Sequence, residues 1–322
     1  MLRAESTKFR VFCFLFAVTL ALFAVLSGLA VVAPLEIQVV VSAMIVGACI
    51  GSFSNVVIWR LPIMLSYQAA SHSAASEDPT GVDNDSVGVA RPKAGQRTLN
   101  LIEPASACTA CDGKIECWHN VPIFSFLWLR GRCAQCGSPI SLRYPAIEAA
   151  FALAYGLLAW HFGLTFALVG YAVLVFGLAV LLMIDWDTQL LPDLLTQPLL
   201  WLGLLANAYG LHTALENAVW GAVGGYAIFW MISIAFTTWT GKEGMGHGDF
   251  KLMAVLGAWF GWQMLPWIMW IGSALSIIQI SASVLMKKRK WGDRQAFGPA
   301  LIVAGLAVAV IAESGVYPAG FR

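Results

Sequence analysis

The sequence predicts an all-α polytopic membrane protein of about eight to nine transmembrane helices, carrying one small subdomain outside the membrane. Three observations carry this expectation. Apolar residues make up 59% of the 322 and charged residues only 11%, and the mean hydropathy is +0.75, far from the composition of soluble domains. The net charge of +1 conceals a sorting: Lys and Arg fall in a few short blocks separated by apolar runs. Finally, four of the seven cysteines sit as two CxxC pairs in the only long hydrophilic region.

Taken in order, Met1 to Arg10 carries Arg3, Lys8 and Arg10, and the apolar run 11–33 is long enough to cross a hydrocarbon core of about 30 Å. That run exceeds the apolar stretch of a usual secretion signal, and Leu29 to Ala33 makes a weak cleavage site, so a retained helix is expected. A second span, Ile37 to Trp59, ends at Arg60, Leu61 and Pro62, which makes residues 1–62 an N-terminal transmembrane hairpin. Met64 to Gln96 is rich in Ser, Ala, Asp and Gly without apolar periodicity and reads as a flexible loop. From Leu99 to Tyr144 Cys and Pro punctuate the chain, with Arg130, Arg132 and Arg143, so residues 63–144 form a loop and small subdomain.

Apolar spans resume at roughly 145–161, 165–186, 191–210, 214–238, 250–262, 264–286 and 298–316, making residues 145–322 a membrane core. Span 250–262 is short for a crossing, so it either starts deep or packs inside the bundle away from lipid. The loops between spans alternate in charge. One set holds Lys242, Lys251, Lys287 to Lys290 and Arg294; the other (161–165, 209–216 and 261–263) holds no Lys or Arg. The positive-inside rule places the first set, the Cys-bearing subdomain, Asp185 and Asp249 in the cytoplasm, and the second set in the periplasm.

Cys108, Cys111, Cys133 and Cys136 form C-x2-C, a 21-residue spacer and C-x2-C. Each such turn presents two sulfurs to one ion, so the four predict a structural tetrahedral zinc site in the cytoplasmic subdomain. Two disulfides are disfavoured in a reducing compartment. Cys117, between the pairs, reads as a free thiol, and Cys13 and Cys49 as small buried hydrophobes.

Asp249 lies in a polar glycine-rich run from Gly241 to Lys251, and Asp185 ends one apolar run just before the next. An ionisable residue at a membrane edge is a functional hypothesis by default. Hydrolysis of an amide needs one carboxylate to deprotonate water and a carboxylic acid to protonate the carbonyl or leaving amine; two close carboxylates sharing a proton supply both. Gly246 and Gly248 would let an extended peptide approach the backbone beside Asp249. Taken alone, Asp249 could instead be the N-cap of a helix opening at Phe250. Asp187 reads as exposed, Asp193 after Pro192 as a helix-start residue, His247 as a bystander, and Glu148 as a first-turn dipole partner or a polar contact for the site.

Gly51 to Pro62, the paired CxxC flanked by Asn120 to Pro122 and Arg143 to Pro145, Ile184 to Asp193, and Gly244 to Lys251 together resemble the type IV prepilin peptidases. These are bifunctional leader peptidase/N-methyltransferases with a GxGD aspartyl site. The likeness runs in the family's order from about Val46 to Ala304. It implies cleavage of the basic leader of prepilins or pseudopilins before their hydrophobic helix, by an enzyme of the bacterial inner membrane acting at the cytoplasmic face. By position, Asp185 and Asp249 match the family's catalytic pair, Gly246 and Gly248 its GxGD loop, and the four cysteines its zinc site. S-adenosylmethionine as methyl donor for the new N-terminus follows from the resemblance only, with no residue assigned to it. The apolar run 11–33, Cys117 and the loop 64–96 depart from the family pattern.

Two other readings compete. In a transporter or assembly scaffold, Asp185 and Asp249 would relay protons or hold a cation, but such acids belong nearer mid-span. A methyltransferase with a dead peptidase is disfavoured by the presence of both aspartates. No internal repeat and no nucleotide-binding glycine fingerprint is found, and no nucleic-acid partner is expected.

Overall fold

The computed structural model describes residues 34–75, 100–241, 245–286 and 296–313. The run 11–33, most of the loop to Gln96, Cys13, Lys242 to Gly244 and the basic stretch 287–294 lie outside these residues. Among the described residues all regular structure is helical, apart from two isolated antiparallel bridges, Ala107 with Lys114 and Arg132 with Pro139. Two compact units divide within one helix, Met1–Ala172 and Val173–Arg322.

The first unit contains α1 (Leu35–Ala75), a 3-10 turn at Cys117–Asn120, α2 (Phe124–Trp128) and α3 (Arg143–Phe162). Helix α1 does not stop at Pro62 as the sequence suggested; it continues to Ala75. The residues after Pro62 include Met64, Leu65, Gln68 and Ala69, good helix formers that carry the helix past one missing N–H. Arg60, only 6% exposed, donates to the carbonyls of Asn100 at 2.9 Å and Pro104 at 2.7 Å, binding the start of the Cys-bearing segment to α1. Helix α3, grouped by sequence with the membrane core, packs here against α1. The contact is close because α1 presents Gly47 and Gly51: a Cβ at Gly47 would lie 2.8 Å from Tyr155 Cβ, and one at Gly51 2.8 Å from Glu148 Cα. Small residues four apart allow such backbone approach where lipid and side chains are equally apolar.

The division falls inside α4 (Phe166–Thr188), and the second unit continues with α5 (Asp193–Ala208), α6 (Leu215–Thr240), α7 (His247–Phe260), α8 (Leu265–Leu285) and α9 (Gly298–Glu313). Helix α7 is its core: every residue from Leu252 to Phe260 is buried. The short apolar span is therefore interior, as one of the two sequence alternatives held. Helices α6 and α7 meet backbone to backbone, since a side chain on Gly257 would strike the Gly221 carbonyl and one on Gly225 would lie 2.6 Å from Met253 O. Asn207, buried in α5, closes the far end. Its Nδ2 donates to Ala258 O (2.8 Å) and Trp259 O (2.9 Å), and its Oδ1 accepts from His212 N (3.0 Å) and Thr213 N (3.1 Å).

Among the described residues four helical stretches are long and apolar enough to cross a membrane: Leu35–Ala69, Phe166–Thr188, Leu215–Thr240 and Trp262–Leu285. Helices α3, α5 and α9 run 20, 16 and 16 residues.

Candidate active site

Asp185 stands one turn before the end of α4, and its backbone carbonyl accepts the Gln189 N–H at 2.9 Å. Gln189 adopts φ +56, a left-handed conformation that ends the helix. The chain then passes through Leu190 and Leu191 to Pro192, which caps α5 in an extended conformation with ψ 132. Asp185 is 4% exposed, whereas Trp186 and Asp187 face outward.

Asp249 arrives from the opposite kind of helix end. Helix α7 begins at His247 with Gly246 as its extended N-cap, so Asp249 is the third residue of the first turn rather than the cap of a helix opening at Phe250. Its N–H bonds to Gly246 O at 3.1 Å. A carboxylate in a first turn lies near unpartnered N–H groups, a favourable place for negative charge. The Asp249 carboxylate lies within electrostatic reach of Asp185, so one carboxylate from a helix end and one from a helix start share a site.

Three glycines and Leu191 shape this space. A Cβ at Gly246 would have Asp249 Oδ2 as its nearest neighbour among the described residues, at 3.8 Å, an ordinary contact that leaves this backbone uncrowded by them. One at Gly248 would lie 2.9 Å from Leu191 Cβ; its missing side chain accommodates Leu191. At Gly298, the first residue of α9, a Cβ would collide with Asp185 Oδ2 and lie 3.5 Å from Leu191 Cδ1. Lys251 Nζ holds both oxygens of Asp193, at 2.6 and 2.8 Å, and ties the start of α7 to the start of α5. Asp193 is thus an acidic helix-start residue with a salt-bridge partner. His247 is exposed, its ring 5.3 Å from Phe250.

The first unit holds the second chemical cluster. The Sγ atoms of Cys108, Cys111, Cys133 and Cys136 lie within 4.8 Å of one another. Two matching turns build it. Cys108 N–H bonds Gly113 O (2.9 Å) and Asp112 N–H bonds Cys108 O (2.9 Å); Cys133 N–H bonds Ser138 O (2.8 Å) and Gly137 N–H bonds Cys133 O (2.9 Å). Asp112 (φ 53) and Gly137 (φ 71) occupy the same left-handed place in each. Gln135 Nε2 links the turns by donating to Lys114 O at 3.1 Å. The Ala110 N–H, followed by the Ser138 hydroxyl, holds the Cys108 thiol down to about 6. Four converging sulfurs fit a tetrahedral ion, so the cluster could hold a metal.

Glu148, in α3, serves the first unit. It accepts the Ile123 N–H at 2.7 Å and a bond from Ser52. Ile123 has φ 62 and ψ −49, and Phe124 N–H reaches Pro122 O at 2.5 Å. This is a γ-turn of the strained positive-φ kind, which Glu148 anchors. Sequence reasoning missed Gly298, Leu191, Arg60 and Asn207. For Gly298 the available signal was its position between Phe297 and Pro299 at the head of an apolar run.

Fold and clusters together define a helical membrane protein with a carboxylate pair at converging helix ends and a four-thiol site able to hold a metal. The chain belongs to the type IV leader peptidase family. The model of that family matches residues 172–281, and the model of the bacterial peptidase A24 N-terminal domain matches residues 45–162. A prepilin leader peptidase/N-methyltransferase of Stutzerimonas stutzeri is 43% identical over 270 residues, covering 83% of this chain and 88% of that relative. One of Neisseria gonorrhoeae is 40% identical over 280 residues, 87% and 92% of the two chains. One of Aeromonas hydrophila is 43% identical over 258 residues, 80% and 85% of the two chains. The comparison with solved structures gave no match. Membership in this family removes the transporter and scaffold alternatives.

Proposed function

We propose that this protein removes the leader peptide of type IV prepilins or pseudopilins, with Asp185 and Asp249 as its acid and base, and N-methylates the new N-terminus. The observation that carries the peptidase reading is the convergence of a buried carboxylate at the end of α4 with a carboxylate in the first turn of α7. Two like charges in such proximity favour a shared proton, one group taking a proton from water while the other protonates the leaving amine. The uncrowded backbone at Gly246 suits an extended substrate segment, and Gly248 keeps Leu191 in place beneath it. A substrate Gly before the cut would ease local unwinding, since Gly costs a helix roughly 1 kcal/mol relative to Ala.

The four thiols would hold one structural zinc that ties the two turns of the subdomain together. S-adenosylmethionine would supply the methyl group, and no residue is assigned to it. The charge pattern of the loops supports an inner-membrane protein of about eight to nine spans whose site and subdomain face the cytoplasm.

The test combines purified protein in detergent with a prepilin and follows cleavage and methyl transfer separately. Both products are expected; an intact prepilin under conditions where a known family member cuts it would refute the reading.

A further inference from the structure

We propose that Gly298 is a positioning residue for Asp185: its N–H steadies the carboxylate, and its lack of a side chain lets the buried Oδ2 keep its place, where a Cβ would displace it. This rests on the reading of Asp185 as one of the catalytic pair. Helix α9 begins at Gly298, and Pro299 beside it has no N–H to offer. The Gly298 N–H, which has no acceptor within its own helix, is directed at the Asp185 carboxylate. Asp185 is 4% exposed, yet its Oδ2 is buried without a hydrogen-bond partner among the described residues. A buried, unsatisfied carboxylate oxygen in a folded protein calls for an explanation, and a reacting water or amide supplies one.

The steric fact is independent of that bond. A methyl group at 298 would land on Oδ2, lie 3.2 Å from Asp185 Cγ and touch Leu191, which itself packs on Gly248 beside Asp249. Gly305 in the same helix offers a contrast, because a methyl there would lie 2.8 Å from Leu256 Cδ2, the movable end of a flexible side chain.

Steady-state cleavage of a prepilin by the full-length enzyme in detergent, with unfolding temperatures, tests this on Asp185→Asn, Gly298→Ala and Gly305→Ala. Misplacing a reacting group by about 1 Å costs roughly 100-fold, so Gly298→Ala should lose about that factor in kcat with KM and unfolding temperature little changed. Gly305→Ala should keep its kcat even where its unfolding temperature falls. Wild-type kcat in Gly298→Ala, a loss carried by KM, or an equal kcat loss in Gly305→Ala would overturn the inference while leaving the pair intact. Cleavage by Asp185→Asn would instead remove the reading on which it rests. Should Gly298→Ala unfold, the double variant Asp185→Ala/Gly298→Ala decides. Relief of the clash should restore folding, and continued unfolding would overturn the proposal.

Discussion

The four-thiol cluster and the carboxylate pair are both small constellations of like groups, and they are assembled in opposite ways. Each CxxC turn brings its own two sulfurs together through bonds among neighbours, Cys108 to Gly113 and Cys133 to Ser138, and side-chain bonds from Gln135 and Ser138 join the halves. The aspartates have no such local device. Asp185 is held by the end of α4, Asp249 by the start of α7, and the start of α9 lies against Asp185. A site made of turns tolerates change elsewhere in the chain, whereas a site made of helix ends inherits the packing of the whole bundle.

Separate loss of the two sites would establish this contrast most directly. Asp185→Asn and Asp249→Asn should each lower cleavage by at least about 10³-fold, in protein that still inserts, folds and binds metal at the cysteines. Near-normal cleavage by either variant would end the paired-carboxylate mechanism. Conversely, Cys108→Ser or Cys133→Ser should abolish metal binding and open residues 100–142 to protease. Cleavage should fall far less than in the aspartate variants, since the carboxylates lie in the other compact unit. Metal content unchanged on elemental analysis of Cys108→Ser would show that the sulfurs hold no ion.

The dependence of the second unit on distant packing has a graded test. Asn207→Ala leaves two helix-end carbonyls and two loop N–H groups without their partner. Each buried polar group so orphaned costs about 1–3 kcal/mol, so a total loss of several kcal/mol should appear in detergent unfolding. At the small end stands Lys251 with Asp193, whose side chains are 29% and 60% exposed. A double-mutant cycle on this pair should give about 0.2–1 kcal/mol, falling with salt. A coupling several times larger would mean that the ion pair, rather than α7 packing, aligns the two helix starts.

Much of this was legible before any coordinates. The apolar runs marked where the helices fall, because a residue facing either lipid or a packed neighbour must be apolar. The CxxC spacing named all four sulfurs, since their geometry is settled within a few residues of chain. The aspartates stood out as carboxylates at the borders of apolar runs. Hydropathy did not settle whether α7 faces lipid or lies at the centre of its unit, for the two surroundings are equally apolar; backbone contact at Gly221, Gly225 and Gly257 decided it. Nor did Pro62 reveal that α1 would run on to Ala75. The role of Gly298 was invisible for the same reason. A glycine beside a proline announces a helix start, and only the packing of α4, α7 and α9 brings that start against Asp185.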